Sequence, residues 1–112
     1  MADKGFDIKV LIPTEDGIRI STNNLSLVPY YLIYNISNRS YQLAGKIKTK
    51  EILTGNGFLK DIQNYINQEN IDLIVSITKS ELDIKIIAPE SAEINEELNL
   101  IIDMIDQKKE LS

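Results

Sequence analysis

Two polar stretches carry the side chains that could do chemistry. Thr54-Gly55-Asn56-Gly57 opens an apolar run at helical spacing, so its backbone N–H groups could meet an anion at a helix N-terminus. It lacks the Lys and the full spacing of a phosphate-binding P-loop. The plainer reading is a strand-to-helix turn that needs Gly for its φ values. The second stretch, Thr22–Leu27, holds Asn23, Asn24 and Ser26 and leads into the apolar segment Val28–Ile36. A buried strand with a long loop at its entrance is where a small α/β domain places a site. Glu15 and Asp16, with Asp72 or Asp83, could form a hard-metal carboxylate site for hydrolysis, provided that they project together from strand ends.

The chain has no Cys and no His. That removes disulfides, thiol nucleophiles, Cys/His zinc sites and His general bases. Oxygen ligands remain, suited to Mg²⁺ or Ca²⁺. The five tyrosines read as core and rim residues rather than a stacking platform. The acidic run Glu90–Glu97 reads as a solvated helix face with dipole-compatible charge. Twelve basic and seventeen acidic residues give a formal charge of -5, which disfavours a nucleic-acid partner. No apolar run reaches the ~20 residues of a membrane helix, and the first residues lack the apolar core of a signal peptide. A cytoplasmic protein is the default expectation, with no membrane partner.

The elements that must position these residues emerge from periodicity. The 112 residues fit one domain, 1–112, with Met1–Gly5 loose. Phe6–Pro13 alternates as a strand that Pro13 ends, and Thr14–Gly17 is a turn. Ile18–Ser21 is a short extended piece. Tyr30–Ile36 has apolar residues on both faces, as an interior strand does. Ser37-Asn38 turns it into Ser40–Lys48, an edge strand guarded by lysines, with Tyr41, Leu43 and Ile47 on one side. A helix spans Phe58 to about Asn67, capped by Asn56 or Thr54. Ile71–Ile77 and Leu82–Ala88 are strands. The four residues Thr78–Glu81 are too few for a parallel crossover, so the pair should form a hairpin. The last helix runs from about Ala92, capped by Ser91, to Gln107, with Lys108 and Lys109 at its end.

The succession of IKVLIPTEDG (Ile8–Gly17), VPYYLIYNI (Val28–Ile36), TGNGFLKDI (Thr54–Ile62), NIDLIVSI (Asn70–Ile77) and DIKIIAP (Asp83–Pro89) resembles the dinitrogenase iron-molybdenum cofactor biosynthesis family. These are small nitrogenase-accessory carriers. The resemblance covers nearly the whole chain as a pattern of elements. It implies a ribonuclease-H-like α/β fold, with a mixed five-stranded sheet and two main helices. It also implies a non-enzymatic accessory or carrier function and an iron–sulfur or iron–molybdenum type cluster. The cluster would lie between the loop Thr22–Pro29 and the turn Thr54–Gly57. Asn23, Asn24, Ser26, Thr54, Gly55, Asn56 and Gly57 are then the candidate cofactor-binding residues. The family loop usually carries His then Phe-Gly where this chain reads Asn23-Asn24-Leu25-Ser26-Leu27. The turn often carries His or Cys, and a helix normally separates the last two strands. The site therefore reads as degenerate, because such clusters want thiolate or imidazole. The alternatives are an interaction or regulatory module of the same fold without cofactor and, behind it, a metal-dependent nuclease or hydrolase. With two helices for two sheet faces, part of one face should lack cover, and a homodimer is expected.

Overall fold

The computed structural model describes residues 8–37, 39–77 and 81–111, the side chains of 106–111 excepted. The expectations for Met1–Gly5, for Phe6 and Asp7 at the head of the first strand, for Asn38, for residues 78–80 and for the side chains of Gln107, Lys108 and Lys109 fall outside them.

The strands are β1 (Ile8–Thr14), β2 (Tyr30–Ser37), β3 (Ser40–Lys48), β4 (Leu73–Val75) and β5 (Lys85–Ile87). They form one sheet in the order β3-β2-β1-β4-β5. The pairs β1–β2 and β2–β3 are antiparallel, while β1–β4 and β4–β5 are parallel. β2 thus runs against the other four, as the expected mixed five-stranded α/β fold requires. The helices are α1 (Thr49–Ile52), α2 (Phe58–Glu69) and α3 (Ile94–Leu111). The last two are the main helices; α1 is an added turn that the sequence pattern does not reveal.

Alternation along the strands sorts side chains onto two faces. Val10, Ile12, Leu32, Ile36, Leu73 and Val75 pack under Ile94, Leu98, Ile101 and Ile102 of α3. Leu11, Tyr31, Ile33 and Ile74 pack under Ile62 and Ile66 of α2, with Ile52 of α1, Leu25 and Val28. Both faces of the sheet are therefore covered. The bare face expected from two helices narrows to the margin around β5.

Several local expectations are corrected. Leu73–Val75 and Lys85–Ile87 pair in parallel, so the segment is no hairpin. The strands are only three residues long, which frees residues 76–84 as connection. A strand of three residues spans about 10 Å, a short way to return. Leu82 and Ile84 pack into the α2-side core along that path. Pro13 does not end β1: it lies opposite Tyr31, and its carbonyl accepts from Ser21 N–H at 2.8 Å. Its nitrogen points to that same side, past the end of β4, so no ladder donor is missed.

A bulge sets the register of β3. Ile33 pairs with Gly45 and Tyr34 with Leu43, leaving Ala44 extra. One inserted residue flips the rest of the strand to the opposite face. Tyr41 packs on the α3 side and Ile47 on the α2 side, not together. Finally, α2 is capped by Gly57 at φ 98°, with no side-chain cap from Thr54 or Asn56, and α3 starts two residues beyond the expected Ala92.

Candidate functional site

In open α/β sheets a ligand crevice lies at the carboxyl ends of the parallel strands, where neighbouring connections diverge. Here β1 leads left to β2 and β3, and β4 lies on its right. The loop after β1 and the segment after β3 both emerge at that end, and they contain every candidate cofactor-binding residue.

The β1 loop is built on Thr14, which is fully buried. Its Oγ1 donates to the Arg19 carbonyl at 2.6 Å and accepts from Gly17 N–H at 2.9 Å. Asp16 Oδ1 accepts from the N–H groups of Ile18 and Arg19 at 2.8 and 2.9 Å. The Arg19 and Ile18 amides hold the Asp16 carboxyl below its ordinary 3.8. Ile18–Ile20 then lies against the start of α3, through Ile20 N–H to Ala92 O and Ile94 N–H to Ile18 O. Gly17 sits at φ 81°, and a Cβ there would come 3.3 Å from the Tyr30 hydroxyl. Gly17→Ala is therefore expected to cost about 1 kcal/mol or more, read as a lower urea midpoint. An unchanged midpoint would show that the turn relaxes freely.

Further on, Glu15 Oε2 accepts from Ser21 Oγ at 2.8 Å and from the Asn23 side-chain amide. Asn23 N–H in turn donates to Ser21 Oγ at 3.1 Å. Asn24 offers its carbonyl to Leu27 N–H, and its side chain caps nothing. The loop then folds inward. Leu25 is buried, and its carbonyl accepts the buried Tyr31 hydroxyl at 2.6 Å. Burial pushes the Tyr31 phenol well above its usual range. Thr49 fastens this loop to α1: its Oγ1 donates to Val28 O and its N–H to Pro29 O at 3.0 Å.

Ser26 and Leu53 thereby come to line one shallow groove of about 310 Å³, with Val28, Pro29, Lys48, Thr49 and Lys50. Of the seven candidate cofactor-binding residues only Ser26 lines this groove; Leu53 adjoins the turn, but Thr54, Gly55, Asn56 and Gly57 do not line it. Asn23 turns toward Glu15 instead.

The turn itself is occupied from within. Asp61, in the first turn of α2, is 2% exposed. Its Oδ2 accepts from Thr54 N–H at 2.6 Å and its Oδ1 from Thr54 Oγ1 at 2.5 Å. The Thr54 hydroxyl and amide, with the amides of Asn56 and Gly55, hold its carboxyl below 3.8. The N–H groups of Thr54, Gly55 and Asn56, which could have faced an anion, already face the chain's own carboxylate. Gly55 and Gly57 adopt φ 97° and 98° with open space around them, so they serve the turn's conformation rather than a close approach.

Sequence reasoning missed Asp61, and it misplaced Glu97. Glu97 is no part of a solvated face: it is 2% exposed, and its Oε1 accepts from the N–H groups of Glu90 and Ser91 at 2.8 and 3.1 Å. The two carboxylates do the same work at the starts of α2 and α3. The signal available was an acid on the apolar stripe of a helix's first turn: Asp61 falls between Phe58 and Tyr65, and Glu97 between Ile94 and Ile101.

The proposed acid cluster does not converge. Asp72 hydrogen-bonds both ways with the Lys9 backbone at one end of β1, while Glu15 lies just past its other end. Six residues of strand separate them by about 20 Å, far beyond metal–oxygen bonds of about 2–2.6 Å. Among the described residues no three His, Cys, Asp or Glu side chains are grouped to hold a metal ion. Among them, too, no helix is long and apolar enough to cross a membrane.

No family model matches the sequence, and no curated protein matches it. Five chains of solved structures are similar, two of them as follows. The crystal structure of PH0822 superposes with a TM-score of 0.67 at 15% identity, covering 87% of this chain and 92% of that one. The NMR structure of a "putative dinitrogenase", MJ0327 from Methanococcus jannaschii, gives a TM-score of 0.62 at 20% identity, covering 91% and 92%. The likeness is one of fold. It spans about nine-tenths of each chain.

Proposed function

We propose that this domain is a non-enzymatic accessory protein of the iron-molybdenum cofactor biosynthesis type, degenerate at its cluster site. Three things support the accessory part. The sequence carries the family's order of motifs, the sheet has the fold that order implies, and a structural neighbour bears a dinitrogenase name. The degenerate part, which the missing thiolate and imidazole ligands already suggest, is supported in the structure by one observation, the Asp61 carboxylate seated in the Thr54–Gly57 turn.

The residues present do not fit a cluster of this kind. The donors around the groove are hydroxyl, amide and ammonium groups, whereas such clusters are held by thiolate and imidazole. A fixed carboxylate in the turn would repel an anionic guest. No step through a cluster is assigned to the chain. The same internal occupation, with Glu15 engaging Ser21 and Asn23, favours a second reading, an interaction or regulatory module that works by protein contact without cofactor.

Anaerobic reconstitution with iron and sulfide tests the degenerate site. The expected result is visible absorbance no greater than that of a protein-free control after desalting. A stoichiometric bound cluster would mean a working carrier and would overturn it. Genes for nitrogenase or Fe–S assembly beside this one are the expected context for the accessory reading. Their absence would favour the interaction module.

A further inference from the structure

The sheet has two free edges, and they are defended differently. β3 is blunted by its bulge and by Lys46 and Lys48, with the Lys46 ammonium 4.3 Å from the centre of the Tyr30 ring. β5 is three residues long, has no bulge, and carries a single lysine, Lys85. Its backbone polarity can be read from the ladder. Ser76 N–H donates to Ile87 O at 3.0 Å, so Ile87, and Lys85 two residues before it, aim their N–H and C=O groups at β4. Ile86 lies between them and aims both groups outward, where no partner stands among the described residues.

Beside this edge runs an apolar strip. Ile87 and Met104 line a groove of about 230 Å³ together with Ile8, Leu73 and Ile105. They also line a second hollow with Leu100 and Ala88. Leu100 and Met104 are 36% and 42% exposed on α3. The strip is charged at its two sides with opposite sign. Lys85 borders the first groove, and Glu90 and Asp103 border the second.

We propose that β5 pairs with β5 of a second copy of this chain, antiparallel about a two-fold axis through Ile86. Ile86 of each copy then donates its N–H to, and accepts at its C=O from, Ile86 of the other, the closed hydrogen-bonded pair of an antiparallel ladder. Lys85 falls opposite Ile87 of the second copy, on the α3 side. Glu90 and Asp103 flank that Ile87, so the axis brings each Lys85 to the other copy's two acids. A second copy is the occupant because one surface carries both halves of this complementarity, as an isologous interface must. Three paired residues per chain would hold little alone. Leu100, Met104 and Ile87 of both copies meet across the axis and supply the apolar contact that a stable interface needs. The two sheets join into one of ten strands. This surface is independent of the cluster question, since it lies away from the Thr54–Gly57 turn.

Sedimentation equilibrium on the full chain, from about one to several hundred micromolar, is the test. The wild type is expected to form dimers. Lys85→Glu is expected to weaken association at least tenfold, and Lys85→Glu with Asp103→Lys to restore most of it. Each variant should keep the wild-type circular dichroism, since these side chains lie at the surface. The Ile86 amide should exchange more slowly in the wild-type dimer than in monomeric Lys85→Glu. A wild type that stays monomeric throughout overturns the proposal. So does a dimer indifferent to Lys85→Glu, or one in which the Ile86 amide exchanges alike in both proteins.

Discussion

Tyr31→Ala is expected to lower stability by about 3–5 kcal/mol, the range for removing a buried aromatic ring. A domain of this size has only about 5–15 kcal/mol in total, so the variant should stand near the edge of folding. Tyr31 is fully buried and is the largest such side chain. It fills the α2-side core among Leu11, Leu25, Val28, Ile52 and Ile62. The cavity would open under the site loop, because Leu25 and Val28 are that loop's inward anchors. Tyr31→Phe separates the two roles of the residue. The ring stays, and the Leu25 carbonyl loses the hydroxyl that donates to it at 2.6 Å. Leaving a buried acceptor unpaired costs about 1–3 kcal/mol. Urea titration of the two variants against the wild type reads both losses. Faster amide exchange at Leu27 and Thr49 in Tyr31→Phe would show that the hydroxyl holds the loop as well as the core. If Tyr31→Phe matches the wild type in midpoint and exchange, the loop is held by Thr49 instead.

The faces of β1 and β2 were legible because a two-sided apolar alternation has only one reading once both faces are buried. Val10 and Ile12 against Leu11, and Leu32 and Ile36 against Tyr31 and Ile33, fell where the pattern put them. What failed were places where length, not pattern, decides. Leu82–Ala88 alternates like a strand of seven residues, yet only Lys85–Ile87 pairs, because the chain needs the rest to return for a parallel crossover. The bulge at Ala44 leaves the alternation intact and reverses its meaning, so Ile47 cannot be placed from sequence. The hydrogen-bond partners of the loop residues were not foreseeable. Asn23 turning to Glu15, and Thr54 to Asp61, are choices between nearby polar groups that composition does not rank.

Asp61 decides more than any of these, since it determines whether the Gly-rich turn is a site or a structural joint. Asp61→Asn is expected to destabilise the domain at neutral pH and to loosen the turn. Asparagine keeps one oxygen acceptor but presents an NH₂ group where Thr54 N–H or its hydroxyl now donates. The pH dependence gives the stricter check. Folding lowers the Asp61 carboxyl below its ordinary 3.8, first through the Thr54 hydroxyl and then through the Thr54 amide. A carboxyl so lowered adds stability that is fully present above the unfolded value and is lost as pH falls through the folded one. The gap in urea midpoint between wild type and Asp61→Asn should therefore be constant above roughly pH 5 and close steadily below it. Asp16 is lowered as well, but it is present in both proteins and cancels in the comparison. Two curves that stay parallel down to about pH 2 would mean that the carboxylate's charge is not what the turn binds. The turn would then be held by hydrogen bonds that a neutral side chain makes equally well, and the argument that a fixed negative charge turns an anionic guest away would fall with it.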